Sequence, residues 1–226
     1  MVAQELKSAG FKVYAAARRV DRMADLEKDG ITPAALDLTR DGSIAACVNT
    51  ILSREKSIDV LVNNAQASAS GVTLADHTTD QFDLAIYSGL YATFYYMQAC
   101  YPYLKETKGS VINFASGAGL FGNFGQCAYA AAKEGIRGMS RVAATEWGPD
   151  GINVNVVCPL AWTAALENFQ EAYPDAFTAN VHMPPMGHYG NVETEIGRVV
   201  VQLASPDFKF MSGETLTLEG GMGQRP

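Results

Sequence analysis

The chain has few of the residues that hold metals and disulfides. Its 226 residues include three histidines (His77, His182, His188) and four cysteines (Cys47, Cys100, Cys127, Cys158). The cysteines form no CxxC pair and have no histidine cluster beside them, so no zinc site is expected. Scattered thiols are the ordinary content of a reducing compartment, which makes a cytoplasmic location the expectation. Positive charge is also scarce. Seventeen Lys and Arg stand against 24 Asp and Glu, for a net charge of -7, which argues against nucleic acid as a main partner. No apolar run approaches the roughly 18 residues of a membrane helix, and the N-terminus lacks the apolar core of a signal peptide, so no membrane partner is expected. There is no long basic run, heptad pattern or low-complexity tract. What remains is a chain that is 48% hydrophobic, sized for one α/β domain over residues 1–226 with a substantial core.

Taken in order, the chain alternates helical and extended patterns. Met1 to Ala9 reads as a helix with Gly10 as its C-cap. Phe11–Ala17 is an apolar run of strand length, followed by Arg18-Arg19 and a polar helix near Asp21–Lys28. Ile31–Leu38 reads as a strand despite Pro33, which suits an edge or strand-start position. An amphipathic helix follows over Asp41–Lys56, then a strand, Ile58–Asn64, that ends in two amides. The helix of about Thr79–Leu104 is apolar and aromatic around much of its circumference. Gly109–Ser116 is a buried strand, Cys127–Trp147 a helix, and Ile152–Cys158 a strand. Residues 159–191 are irregular and rich in Pro, Met, Phe and Tyr. A helix at Val192–Leu203 and a strand at Glu214–Leu218 close the fold. Strands alternating with helices predict a mostly parallel, doubly wound sheet covered on both faces, with ligands at the carboxyl ends of the strands. Arg18, Asp37, Asn63-Asn64, Ser116 and Pro159 all sit at such ends.

The chemistry centres on Tyr129-Ala-Ala-Ala-Lys133, with Ser116 thirteen residues earlier. Tyrosine and lysine four apart share one helix face, about one turn from each other. A cation beside a phenol favours the phenolate and lowers a pKa that is ordinarily about 10. Such a tyrosine exchanges protons near neutral pH. A strand-end serine facing that pair completes an arrangement able to hold a carbonyl oxygen.

Together these residues resemble the classical branch of the short-chain dehydrogenase/reductase family, along essentially the whole chain. Asn63-Asn64-Ala65, Ser116, Tyr129-x-x-x-Lys133 and Glu219-Gly-Gly stand in the family's order and spacing. The resemblance implies a Rossmann-like fold and an NAD(P)-dependent oxidoreductase acting on a secondary alcohol/ketone pair. It implies Tyr129 as the general acid or base, Lys133 as the residue that holds down the Tyr129 pKa and bonds the nicotinamide ribose, and Ser116 as a donor to the substrate oxygen. Asp37 would accept from the adenine amino group, with Leu38 beside the ring and Asn64 and Ala65 along the adenosine. Asn64 equally suits a sheet-bracing amide. Pro159 to Thr163 would border the nicotinamide, with Trp162 near its carboxamide. An acidic residue ending the Phe11 strand would select NAD(H). The chain has Ala17 there and then Arg18, a planar fork suited to phosphate, so NADP(H) is favoured over NAD(H). Residues 159–191 would be the substrate lid, with Phe169, Tyr173, Phe177, Met183 and Met186 offering an apolar surface to a hydrophobic, steroid-like or cyclic ketone. Family members assemble as homodimers or homotetramers, and the tyrosine-rich Tyr87–Tyr103 stretch fits such a contact or burial within the subunit.

Several features depart from the family pattern. Gly117-Ala-Gly-Leu-Phe-Gly122 matches a dinucleotide fingerprint, but no acidic residue follows at the required distance, and it reads as a wall of the substrate pocket. The family's opening strand and glycine loop have no counterpart, because Met1 falls inside the helix that should follow them. Without that strand, those ending at Ala17 and Asn63 would face each other as unpaired inner edges, each buried orphan group costing about 1–3 kcal/mol. A chain with such a gap should be unstable unless those strands close it or another chain fills it, and the expectation is that the sequence is an N-terminally shortened form of a complete enzyme. Gly89 stands where the family carries an asparagine that supports a helix kink and a proton-relaying water; Ser88 is a candidate substitute. Gln66 and Leu160 replace glycines and add bulk. These departures leave a second reading open: a non-catalytic relative that serves as a scaffold or oligomer subunit.

Overall fold

The computed structural model describes residues 2–172 and 174–223, without the side chains of residues 165, 169, 176, 179 and 180. The lid candidates Phe169, in its side chain, and Tyr173 therefore lie outside the described residues. The helices are α1 (Val2–Ser8), α2 (Ala24–Lys28), α3 (Ser43–Glu55), α4 (Thr79–Ala85), α5 (Ala92–Thr107), α6 (Gly117–Phe121), α7 (Cys127–Trp147), α8 (Ala164–Ala172), α9 (Pro174–Asn180) and α10 (Arg198–Ala204). The strands are β1 (Tyr14–Ala17), β2 (Thr32–Ala35), β3 (Val60–Asn63), β4 (Ser110–Phe114), β5 (Asn153–Pro159) and β6 (Thr215–Leu218).

The strands form two parallel sheets, β1-β2 and β3-β4-β5-β6. β4 is buried at every residue and β5 at all but its last. Such strands are continuous apolar runs rather than alternating ones because helices cover both faces. On one face Phe114, Val157 and Ile112 pack against Leu6 of α1 and Val200 and Leu203 of α10. On the other, Val111 and Val154 pack against Val48 of α3, Met97, Cys100 and Leu104 of α5, and Ala143 of α7. Each fully buried aliphatic side chain here is worth about 1.5–3 kcal/mol. α7 lies close on the sheet because its inward stripe is small, with Ala128 and Ala132 buried ahead of Ile136. Pro33 sits in β2, which pairs with β1 alone. Thr32 N and Leu36 N donate to Val13 O and Ala17 O, so even-numbered β2 residues face β1 and Pro33 faces the outer edge, where no donor is required.

The long helix departs from the simple helical expectation. Between α4 and α5 the residues Ile86–Tyr91 form a π-helical turn centred on buried Gly89. Such turns are a recognised site of helix bending, and this one forms without the asparagine.

The inner edges behave as the sequence implies, except that the strands do not close on each other. β1 and β3 remain in separate sheets. Between them lies a cavity of about 960 Å³ lined along residues 10–16 and 57–65. No helix among the described residues is long and apolar enough to cross a membrane.

Candidate active site

Ser116 ends the segment after β4 and caps α6, its Oγ accepting from Ala118 N at 3.2 Å. α6 then turns the chain so that α7 brings Tyr129 and Lys133 back over the carboxyl ends of β4 and β5. A Cβ at Gly117 would overlap the Glu219 carboxylate, which packs against this turn. The Gly117–Gly122 stretch is thus a capped helical turn packed against Glu219.

Lys133 is 3% exposed. Its Nζ donates to Phe114 O at 2.8 Å and lies 5.4 Å from the centre of the Tyr129 ring. Burial pushes the lysine pKa down to about 8. The Tyr129 phenol is shifted the other way: burial raises it, and a hydrogen bond from Ser116 offsets part of that rise. This revises the sequence expectation. Desolvation dominates the phenol in the free protein, and Lys133 sits over the ring rather than bonded to the oxygen. Of the three lysine donors, one has an acceptor among the described residues. A bound group carrying hydroxyl oxygens would supply acceptors to the other two. Below pH 8 the ammonium is charged, and it would stabilise negative charge on the phenol oxygen through the low-dielectric surroundings.

The other candidate positions line the same end of the sheets. Arg18 is exposed just past β1 and close enough to Asp37 to lower its pKa, though hydrogen bonds from the Thr39 hydroxyl (2.8 Å) and amide (3.0 Å) lower it more. Leu38 is 40% exposed beside them. Asn64 and Ala65 are exposed beyond β3. The bracing amide is Asn63, whose Nδ2 donates to Asn113 Oδ1 at 2.8 Å, while Asn113 Nδ2 donates to Ser140 Oγ at 2.8 Å. That buried ladder ties β3 to β4 and α7 directly beneath the site. Pro159 ends β5. Trp162 N donates to Gly190 O at 3.1 Å, and the indole meets Phe177 and Tyr189 edge-on at 6.2 and 5.9 Å. Thr163 Oγ1 accepts from Leu166 N at 3.3 Å and opens α8. Met183 and Met186 are exposed on the same segment.

Ser88 does not stand in for the missing asparagine. Its Oγ accepts from Ala67 N and donates to the Ala67 or Leu84 carbonyl, fastening the loop after β3 onto the π-helical turn. The space freed by Gly89 is filled instead by Gln66. A Cβ on Gly89 would lie 2.5 Å from Gln66 Cδ and 2.6 Å from its Oε1. The Gln66 Oε1 is buried and has no hydrogen-bond partner among the described residues. Two departures that look separate in the sequence are thus one steric exchange, invisible until the loop and the helix are brought together. Gly89→Asn alone is expected to cost about 1–3 kcal/mol by overpacking. Adding Gln66→Gly should restore most of the loss, a coupling readable from urea melts of the single and double variants.

A family model described as enoyl-(acyl carrier protein) reductase matches residues 1–223. A 12alpha-hydroxysteroid dehydrogenase from Clostridium sp. is 68% identical over 200 residues, covering 87% of this chain and 77% of that protein. A trans-4-hydroxycyclohexanecarboxylate dehydrogenase from Sinomonas cyclohexanicum is 34% identical over 190 residues, covering 82% and 68%. Among solved structures, a putative short-chain alcohol dehydrogenase from Sinorhizobium meliloti 1021 superposes with a TM-score of 0.87 at 26% identity, covering 97% of this chain and 89% of that one. Relatives of this kind give the scaffold reading no support. With its serine, tyrosine and lysine gathered at the strand ends, the chain is an oxidoreductase of the short-chain dehydrogenase/reductase family.

Proposed function

We propose that this chain is an NADP(H)-dependent hydroxysteroid dehydrogenase that interconverts a ring secondary alcohol and its ketone. The observation that carries the reading is the buried Lys133 ammonium 5.4 Å from the centre of the half-buried Tyr129 ring, with Ser116 at the end of the segment after β4. The 68% identity to a dehydrogenase of 12α-hydroxysteroids supports the substrate class. So does the apolar segment 159–191, which reads as the substrate lid with Trp162 as its aromatic anchor.

In reduction, Tyr129 donates its proton to the substrate oxygen as that oxygen gains charge, and Ser116 donates a hydrogen bond to the same atom. In oxidation, Tyr129 takes the proton back. A bound nicotinamide supplies or accepts the hydride. Lys133 would hold its ribose, Pro159 to Thr163 would border the nicotinamide with Trp162 near the carboxamide, and Asp37, Leu38, Asn64 and Ala65 would take the adenosine. Because burial raises the phenol, oxidation is expected to speed up towards high pH while reduction holds a plateau through neutrality.

Arg18 at the end of β1 favours the 2'-phosphate of NADP(H). A lost charge-assisted hydrogen bond is worth about 1.5–3 kcal/mol. Arg18→Ala should therefore raise the KM for NADPH at least about tenfold and leave that for NADH nearly unchanged. The substrate reading is tested by comparing kcat/KM for a 12α-hydroxysteroid with that for an acyclic secondary alcohol. Equal values would remove the steroid assignment. The exposed Tyr87, Tyr91 and Tyr95 of the long helix, Tyr87 stacked on Tyr91 with ring centres 5.1 Å apart and Tyr95 tilted against Tyr91 at 5.9 Å, support a homo-oligomeric contact on that face.

A further inference from the structure

We propose that His188 is a positioning residue for the substrate. Held as an imidazolium between Met186 O and the Glu195 carboxylate, it fixes the returning arm of the lid, residues 184–190, and the pocket wall that Tyr189 and Trp162 form. The kinetic half of the proposal rests on the hydroxysteroid dehydrogenase reading; the clasp itself rests on geometry.

Backbone contacts seat the arm at both ends. At its start Met186 N donates to Gly220 O at 3.0 Å and Gly187 N to Pro184 O at 2.8 Å. A Cβ on Gly220 would lie 3.2 Å from Pro184 Cβ, and one on Gly221 3.3 Å from Pro185 Cβ. Both glycines have a positive φ, 57° and 89°, which a side chain resists. The Glu219-Gly-Gly stretch is thus the seat of the two prolines. At the far end Gly190 N donates to Leu160 O at 3.0 Å, and Trp162 N donates to Gly190 O at 3.1 Å. The Tyr189 ring meets Trp162 edge-on, and its hydroxyl donates to His182 O at 2.9 Å. Between these anchors His188 ties the arm to the next helical segment, Val192–Gly197. Its Nε2 lies 2.9 and 3.1 Å from the two Glu195 carboxylate oxygens, and its Nδ1 lies 3.3 Å from Met186 O.

Each ring nitrogen therefore faces an acceptor. A neutral imidazole has a single N–H and can serve only one of them, whereas the imidazolium serves both. Glu195 is itself fixed. Its Oε2 accepts from Asn191 N at 2.7 Å, while Asn191 Oδ1 accepts from Glu193 N and Thr194 N at 3.0 and 2.9 Å. The bond to Glu195 holds the His188 pKa above its ordinary 6.5, and Met186 O adds to the rise. Other charged groups stand on the same elements. Segment 192–198 also carries Glu193 and Arg198, the arginine paired with Glu5 at 3.6 Å. The lid adds His182 and Tyr189, and the turn at 219–223 adds Glu219, whose carboxylate packs against Gly117 and Gly223. Because the folded pKa is raised, the clasp is complete below pH 6.5 and is lost as pH rises through the raised value.

The test uses the whole chain and has two halves. Without substrate, the three histidines are titrated by NMR, with His188→Gln assigning the signal of His188. Its midpoint is expected above 6.5 and should fall in Glu195→Gln, which keeps the side-chain shape and removes the charge. The emission of Trp162, one of two tryptophans, should shift with the same midpoint in the parent and not in His188→Gln. With a 12α-hydroxysteroid, KM is compared between the parent and His188→Gln at pH 6 and pH 9. The parent KM should be lower by about fivefold at pH 6, the upper range for an exposed ion pair, and equal to that of the variant at pH 9. Values of kcat and the KM for NADPH should match in the two proteins. Titration of Tyr129 and Lys133 is common to both and cancels in the ratio. A His188 midpoint at or below 6.5, or a KM ratio that is the same at both pH values, would overturn the proposal. A chain that showed the raised midpoint and the emission shift but turned over no steroid would instead fail the dehydrogenase reading, and the positioning role with it, leaving only the clasp.

Discussion

Tyr129→Phe is expected to lower kcat for ketone reduction by about 10²–10⁴-fold, the usual contribution of a positioned acid or base. Phenylalanine keeps the ring that packs under Lys133 and removes only the oxygen that gives and takes the proton. Cofactor affinity and the melting temperature should move little, so the loss appears in kcat rather than in binding. Ser116 loses a partner in this variant but keeps its bond from Ala118 N, and α6 stays capped. Stopped-flow measurement of NADPH consumption, with cofactor affinity measured in parallel, separates the two effects. A variant that retained most of the parental rate would mean that another group delivers the proton.

Lys133→Met should also remove most activity, and its stability should depend on pH in a particular direction. The folded protein holds the lysine pKa near 8, below its usual 10.5. Between these values the unfolded chain carries a proton that the folded one has lost. Stability of the parent therefore rises with pH in that window, by up to about 1.4 kcal/mol per unit. Below pH 8 both states are charged and the slope vanishes. Methionine titrates nowhere, so the parent should gain on Lys133→Met between pH 8 and 10.5 and run parallel to it from pH 6 to 8. Urea unfolding at pH 7 and pH 9.5 measures the difference. An unchanged gap would show that Lys133 titrates normally and is not desolvated. The methionine also leaves Phe114 O without its buried donor, so the offset at pH 7 reports that bond and the relieved charge together.

Much of this was legible in the sequence for physical reasons. The strands from β3 onward are short apolar runs closed by polar residues, and their carboxyl ends could be named from the residues alone. Pro33 marked an edge because a missing donor is tolerated only there. Ser116, Tyr129 and Lys133 could be placed together because helix periodicity and a strand end fix their relation. The sequence was less informative where two distant segments share one space. Gln66 and Gly89 lie 23 positions apart and read as unrelated changes, yet the glutamine amide occupies the room that the glycine leaves. Ser88 looked free to serve the site until the loop at Ala67 claimed its hydroxyl. Burial of the phenol was hidden for a related reason: helix spacing places a cation near a ring but says nothing of how far both are removed from water, which here pushes the phenol's pKa up.

The separation of β1 from β3 was implied by the missing strand pattern, but not its outcome. The lone pair β1-β2 is held by its helices, and the cavity stays open. Because Arg18 and Asp37 belong to that pair while Tyr129 and Lys133 belong to the larger sheet, a bound dinucleotide would have to bridge the two.

The most direct measurement is therefore a titration of the intact chain with NADPH and with NADH, followed by nicotinamide fluorescence. Saturable binding of both, tighter for NADPH, together with oxidation of a 12α-hydroxysteroid by the NADP-loaded protein, is the predicted result. Failure of both nucleotides to bind a folded sample would contradict it.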